Sequence, residues 1–427
     1  MLTTTLFEDE GVHGFLPLTY WRSMASLTLG DRTIADNLAS ALGVEVGGWW
    51  VRDWLAPVAA ERSGVPINTP LTALSEWPAV LTNMRWLPDG NMPQPEPRTF
   101  GTLNGDVAWV AVPESEASGF YPETLADPAR RDEILAGWTS VNVTGTWLRY
   151  PWDLLAQRET LIEAAWRALS EKKPPLAAGE GAGNARADRS GDESRFSGRR
   201  VFVGPGATVH DTAVIRDKDG PVIILDEVEI GPACVVDGPI VIGSRTRINP
   251  HAHLHGGNLI GEGCRLGGEV DGCVIQPFTN KQHAGFLGHS VVGSWVNLGA
   301  GFCNSDLKNT YGAVRVPHCG RPVDTGTMFF GAVIGDHVKL GINTSLPTGS
   351  WVGFASQAGG VAALPKFIPS LRWLAGSDVA DAHLEKIVSI AATVMQRRNV
   401  TISGAERALF DSIVSVAAVR ENDSPPD

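Results

Sequence analysis

The sequence predicts an α/β domain followed by a parallel β-helix with a helical tail. Three observations carry this. From Val201 onward an aliphatic residue followed by Gly or a small polar residue returns every six positions. Residues 174–199, PPLAAGEGAGNARADRSGDESRFSGR, are rich in Gly, Ala, Ser and charge and carry no apolar period. The two sides of that stretch also differ in composition. Eleven of the fourteen tryptophans precede it, while all five cysteines and nine of the ten histidines follow it. The expected limits are therefore an α/β domain at 1–173, a flexible linker at 174–199, a β-helix at 200–366 and a helical tail at 367–427. The 48 glycines and 28 prolines favour such turn-rich architecture over a helical bundle.

In the first domain, Leu2 to Phe7 reads as a strand and is followed by an acidic, Gly-containing loop and FLPLTYW. Residues 32–42 have helical spacing, and GVEVGGWWV reads as a strand. TPLTALSEW and WVAVP are punctuated like short α/β elements. Residues 152–172, WDLLAQRETLIEAAWRALSEK, have strong helical periodicity.

In the second domain the chain divides into sixes: VFVGPG, ATVHDT, then VIILDE, VEIGPA, CVVDGP, IVIGSR, TRINPH, AHLHGG, NLIGEG, CRLGGE. The pattern returns at FLGHSV and again at FFGAVI. Each hexapeptide predicts one short flat strand and a turn, and three make a triangular coil. The aliphatic residue points inward onto its counterpart in the next coil. Residues 305–328 break the period and predict a surface excursion, where loops tend to carry function. HLEKIVSIAATVMQRR and AERALFDSIVSVAAVRE predict amphipathic helices suited to cap the solenoid, and NDSPPD reads as disordered.

The balance of 35 basic against 47 acidic residues, net −12, argues against general nucleic-acid binding. An odd number of cysteines with no CxxC pair argues against a disulfide framework and for reduced thiols in a cytoplasm. MLTTTLFEDEG has no basic region before an apolar stretch, so no signal peptide is expected. No long apolar run predicts a transmembrane helix.

A dense polar cluster lies at 280–309, NKQHAGFLGHSVVGSWVNLGAGFCNSDLKN. A neutral imidazole at a coil edge can take a proton from an attacking amine or hydroxyl, and His283 is the candidate. The small residues of VNLGAG expose backbone N–H groups for an oxyanion or a pantetheine amide. Lys281, Lys308 and Arg315 are candidates to hold phosphate. His251, His253 and His255 form HAHLH; strand alternation puts all three on one side, a geometry that zinc uses. No matching carboxylate or Cys cluster is evident nearby, so a coil face or a subunit contact is the competing reading. His289 and His337 read as coil-surface residues.

The stretch from His283 through Phe286-Leu287-Gly288 and Val296-Asn297-Leu298-Gly299-Ala300-Gly301 to Asn304 and Lys308 resembles the acetyltransferase domain of the bifunctional GlmU family. That resemblance implies His283 as the base toward a sugar amine and Asn297 as the residue orienting sugar or acetyl group. It implies Ala300 and Gly299 as backbone contacts to acetyl-CoA, and Lys308 and Asn304 at the sugar phosphate. Glu269 falls where the family has a catalytic-site glutamate. The chain departs from the family at Phe286, where a Tyr is usual, and at Asp271, where a basic residue is usual.

LFEDEG, LPLTYWRSMASLTLG, NKQHAGFLGHSVVGSWVNLGAG, NSDLKNTYG, GDHVKLGIN and PKFIPS resemble the GlmU-like sugar nucleotidyltransferases over most of the chain. The resemblance implies attack of a sugar-1-phosphate on the α-phosphate of a nucleoside triphosphate, with Mg²⁺ and release of pyrophosphate. Thr19 and Arg22 would meet the triphosphate, and Asp106 and Asp153 would hold Mg²⁺. The loop EDEGVHG has two glycines and three acids but no Lys or Arg, where ordinary members carry a basic residue.

The expected molecule is thus an α/β nucleotidyltransferase-like domain joined to a left-handed parallel β-helix of hexapeptide repeats with a C-terminal helical tail. It is expected to be a cytoplasmic homotrimer. Its substrates would be a nucleoside triphosphate and a sugar-1-phosphate, with acetyl-CoA as a further co-substrate. An acyltransferase with a non-catalytic first domain, or a trimeric scaffold or sensor, are the alternatives.

Overall fold

The computed structural model describes residues 2–90, 92–172, 196–197, 200–360, 362–375 and 378–422. The expected linker lies outside the described residues except at Phe196–Ser197, which pairs in parallel with the strand Val214–Arg216. Of NDSPPD only Asn422 is described, at the end of the helix Gly404–Asn422.

The chain forms two compact units. The first comprises the chain up to Leu27, Arg32–Tyr150 and Gly404–Ser412. Its six-stranded sheet runs Glu45–Trp50, Thr3–Phe7, Ala79–Asn83, Asp106–Val112, Thr99–Leu103, Thr139–Asn142. The first three strands are mutually parallel, as helical crossovers require, and Asp106–Val112 is antiparallel to both its neighbours. The crossover helix Ile34–Leu42 shows why such a segment forms. Thr33 and Asp36 make a reciprocal capping box, and Ile34, Ala35, Leu38 and Leu42 share the buried face. Gly43 ends the helix in the left-handed region at φ 65°. One side of the sheet closes over Phe7, Trp50, Leu81, Val110, Val112 and Phe120.

The second unit comprises Thr28–Asp31, Pro151–Ser403 and the chain from Ile413. It is a parallel β-helix. Its first face stacks nine strands from Val201–Val203 to Phe367–Ile368. The second runs from Thr208–Val209 to Arg372–Ala375 and closes with the antiparallel strand Asp378–Asp381. The third runs from Phe196–Ser197 to Phe286–Gly288, and Cys303–Asn304 pairs with Ser345–Leu346 beyond it. Every coil-to-coil pairing is parallel, so the aliphatic residues stack: Ile215 on Val236, Leu254 on Val270, Leu287 after them. This column is the core, buried throughout.

The faces differ in burial pattern for a reason that lies outside the coils. Asn258–Ile260, Val274–Ile275 and Val291–Val292 are buried at every position, because the helix Pro151–Lys172 packs along these strands of the first face. On the third face only alternate residues are buried, so its outer side carries polar groups. The coil corners take left-handed backbone at non-glycine residues, among them Glu227, Arg245, Phe278, Trp295, His337 and Ala355, with φ between 55° and 65°. Stacked rings hold three of them. Phe278 lies 4.3 Å from Trp295, nearly parallel, and Trp295 lies 6.4 Å from His337. His337, expected at the coil surface, is 3% exposed inside this stack.

The excursion at 305–328 is a docked hairpin, Arg315–His318 against Arg321–Asp324. Val314 and Val316 are fully buried, and Phe330 at its return meets Trp152 edge-on at 5.7 Å. In the tail, Lys386 of the helix Leu384–Gln396 stands over Trp373, and Arg398 donates to Asn280 Oδ1 at 2.8 Å, both on the second face. Glu421 accepts from the backbone N–H and hydroxyl of Ser370, both at 2.7 Å, tying the tail to the last coil.

Candidate active sites

In an open α/β sheet, ligands bind outside the carboxyl ends of the strands, where the strand order reverses. Here Thr3–Phe7 has Glu45–Trp50 on one side and Ala79–Asn83 on the other. The residues just past those three ends are Glu8 and Asp9, Arg52, and Arg85. All are largely buried, and they pair. Arg52 Nε donates to Glu8 Oε2 at 2.9 Å, and Glu8 Oε1 also accepts from the Met24 N–H at 3.0 Å. Arg85 grips Asp9 with Nε and Nη2, each at 2.6 Å, and Asn83 donates to the same carboxylate at 2.9 Å.

The acidic loop therefore carries its own counter-charge. It needed two arginines that neither loop composition nor motif indicated. A signal was present, since each arginine stands two residues beyond the last residue of an apolar strand, in WWVR and TNMR. Gly11 is explained by the same pairing. A Cβ there would sit 2.1 Å from the Arg85 guanidinium carbon. The segment Glu10–Phe15 is a closed 3₁₀ turn capped by Asp9 and not an open phosphate cradle.

Thr19 is fully buried, and its hydroxyl donates to Val12 O at 3.2 Å, so it faces the loop and not solvent. Arg22 is 8% exposed, and its carbonyl accepts from Arg52 Nη2. Arg52 Nη1 is buried with no hydrogen-bond partner among the described residues. Asp106 is held by Arg149 at 2.6 Å, and Asp153 belongs to the second unit, on the first turn of Pro151–Lys172. Glu8 and Asp9 are each taken up by an arginine, Asp106 by Arg149, and Asp153 lies in the second unit, so these carboxylates do not converge on a Mg²⁺ ion. A groove of about 850 Å³ lies at the opposite, amino ends of the strands, lined by Thr3, Val44, Trp77 and Pro93 among others. It shares none of these charged residues.

In the β-helix, His283 sits at the corner between Asn280–Lys281 and Phe286–Gly288. Its imidazole is exposed and makes no hydrogen bond among the described residues. Asn297 opens a strand on the second face, in register with Asn280 and Lys339, and is half-buried. Lys339 Nζ is wrapped by the carbonyls of Trp295 and His337, and burial pushes its pKa down to about 7.

Three candidates turn out to belong to the coil itself. Lys281 is 1% exposed and donates to Gly267 O at 2.7 Å and His283 O at 2.9 Å; burial pushes its pKa down to about 8. Asn304 accepts from Gly288 N–H at 2.9 Å and donates to Gly288 O at 3.0 Å, a side chain standing in for a strand. Gly299 gives its N–H to Leu340 O, and a Cβ there would lie 2.5 Å from the Gly341 carbonyl carbon. The glycine serves close stacking of coils. Ala300 offers its carbonyl to Asn343.

Lys308 Nζ donates to Ala313 O within its own loop, and Arg315 pairs loosely with Asp324 at 3.8 Å. Lys366 was not foreseen. Burial lowers its pKa, and the Lys308 charge lowers it further. His289 donates through Nδ1 to Asp306 Oδ2 at 2.8 Å.

HAHLH divides. His251 turns a corner at φ 61° and is exposed, whereas His253 and His255 lie side by side on the third face, ring centroids 3.8 Å apart. The carboxylates absent from the local sequence come from adjacent coils. His253 Nε2 is 3.1 Å from Asp237 Oδ2, and His255 Nε2 is 2.9 Å from Glu269 Oε1. Glu269 thus pairs with His255. Burial works against the Asp237 carboxylate, yet the hydrogen bonds of Arg216 and His253 hold its pKa below the usual range.

Residues 4–173 match the family model described as sugar nucleotidyl transferase. A bifunctional sugar-1-phosphate nucleotidylyltransferase/acetyltransferase of Sulfurisphaera tokodaii is 34% identical over 85 residues, covering 20% of this chain and 21% of that protein. The bifunctional protein GlmU of Methanococcus vannielii is 36% identical over 91 residues, 21% of this chain and 22% of that one. Over those stretches the chain is similar to both proteins. It spans about a fifth of the length of the curated relatives it matches. Among solved structures, the N-acyltransferase AntD of Bacillus cereus, in complex with dTDP and coenzyme A, aligns with 46% of this chain and 91% of its own, at 15% identity and a TM-score of 0.23. The span matched by the sugar nucleotidyl transferase model and the compact units divide the chain differently, because Pro151–Lys172 lies within 4–173 yet packs with the β-helix. No helix among the described residues is long and apolar enough to cross a membrane.

Proposed function

We propose that the chain joins a nucleoside triphosphate to a sugar-1-phosphate and that its β-helix transfers an acetyl group from acetyl-CoA to an amino-sugar phosphate. The match of residues 4–173 to the sugar nucleotidyl transferase family model carries this reading. In the first reaction a sugar-phosphate oxygen attacks the α-phosphorus, a P–O bond forms, and pyrophosphate leaves. Mg²⁺ enters with the triphosphate. Arg22 and Arg52 supply positive charge at the carboxyl edge of the sheet; Thr19 shapes the loop.

In the second reaction the sugar amine attacks the thioester carbonyl. A C–N bond forms, the C–S bond breaks, and His283 takes the amine proton as coenzyme A leaves as thiol. The exposed, unbonded imidazole of His283 supports that role. Asn297 orients the acceptor, Ala300 meets acetyl-CoA through its backbone, and Lys308 with Lys366 holds phosphate. The domain limits 1–173, 200–366 and 367–427, a homotrimer and a cytoplasmic location belong to the same proposal.

Pyrophosphate release across nucleoside triphosphates and sugar-1-phosphates, run beside thiol release from acetyl-CoA with amino-sugar phosphates, tests both halves. Release of both products is expected, with His283→Ala losing at least about a hundredfold in thiol release only. Full thiol release in that variant removes His283 as the base. A second reading is favoured by the internally paired Glu8 and Asp9: an acyltransferase whose first unit is non-catalytic. Thiol release without pyrophosphate from any pair would select it.

A further inference from the structure

We propose that Asp237, His253 and His255 form a divalent transition-metal site of zinc type on the outer side of the third β-helix face, with Glu269 at its rim. The donor atoms of the first three all lie within 4.8 Å of one another. They arise from the register. Val235 pairs with His253 and Val236 with Leu254, so His255 stands opposite Asp237 one coil away. His253 in turn pairs with Glu269. Val236, Leu254 and Val270 between them point into the core, so the polar residues share the outer side. Ladder hydrogen bonds fix the backbone beneath all four, which is the preorganisation a metal site needs.

The chemistry of the donor set also fits. Two imidazoles and a carboxylate are ordinary zinc ligands, with bonds of about 2.0–2.2 Å, which places neighbouring donors about 3.3 Å apart in a tetrahedron. Asp237 Oδ2 and His253 Nε2 are already 3.1 Å apart. A ring nitrogen of His255 lies within 4.8 Å of donor atoms of both residues. Glu269, half-exposed, or water would take the fourth position. Arg216 donates to both Asp237 oxygens, which fixes the orientation of the carboxylate as outer partners of metal ligands do. Its positive charge is outweighed by Asp237, Glu269 and Asp271 on the same face.

The test is titration of the full chelator-treated chain with Zn²⁺, and with Co²⁺ followed by visible absorption. One ion per chain is expected, with a Co²⁺ spectrum of nitrogen and oxygen ligation. His253→Ala and His255→Ala should each weaken Zn²⁺ binding at least tenfold, and Asp237→Asn likewise, while His210→Ala leaves it unchanged. The side chains point away from the core, so far-UV circular dichroism should be preserved in each variant. Absence of stoichiometric binding, binding that survives both histidine variants, or a thiolate charge-transfer band from the cysteines would each overturn the proposal.

Discussion

Arg85 shows how one residue can decide whether a loop folds. Its guanidinium lies between Asp9, held at 2.6 Å by two donors, and the Trp147 ring, 4.8 Å below. Both charges are nearly buried. A buried pair adds little net stability, but removing one partner leaves an uncompensated charge. Arg85→Met is therefore expected to destabilise the first unit by about 3–5 kcal/mol. Urea unfolding followed by tryptophan fluorescence reads this, since eleven of the fourteen tryptophans precede residue 174. An unchanged midpoint would mean that the pair opens to water. Lys281 offers a pH test. Its folded pKa is lowered to about 8 by burial, below the roughly 10.4 of an unfolded lysine. Between those values the unfolded chain binds the proton that the folded chain releases, so stability rises with pH through this window. The cost is felt in full below it. The wild-type chain should accordingly gain on Lys281→Met in urea midpoint as pH climbs from about 7.5 to 10. Parallel profiles would refute a buried ammonium.

At the scale of the element, the coil corners balance strain against stacking. Trp295 holds φ 61°, a conformation that costs a side-chain-bearing residue about 1–2 kcal/mol. Its ring repays this by lying between Phe278 and His337. Trp295→Ala keeps the strain and loses the stack, so a loss of about 3–5 kcal/mol is expected. Trp295→Gly loses the stack but relieves the strain. Glycine should be the milder substitution by thermal melting, the reverse of the usual order within a strand. Alanine milder than glycine would show that the corner geometry is not what the ring sustains.

Across the whole molecule the two units carry separable chemistry in the proposed function. Chelating Mg²⁺ should abolish pyrophosphate release and leave thiol release intact, because only the triphosphate reaction brings the ion with its substrate. Loss of both products together would join the two reactions at one centre. The native mass expected for the proposed homotrimer is three times 45.5 kDa, readable by light scattering, and a monomeric mass would overturn that assembly.

Repetition and periodicity made the architecture legible. A six-residue spacing determines a β-helix because each inward position must stack on its equivalent in the next coil, as Leu254 does on Val270. Residues 152–172 and 32–42 announced their helices through apolar spacing, and both form, at Pro151–Lys172 and Ile34–Leu42. His283 stood out because its neighbours in the chain carry the motif with it. The sites that stayed hidden are pairings at a distance. Asp9 meets Arg85 76 positions away, Glu8 meets Arg52 44 positions away, and Asp237 meets His253 16 positions away on the next coil. Lys281 and Asn304 looked like ligand contacts in the linear chain, yet register turned them onto backbone groups of their own coils. Sequence alone determined the strands, the coil and the motif, because those follow from local spacing. Which charges neutralise one another, and which polar side chains remain free for a ligand, was decided only when the tertiary fold set distant residues side by side.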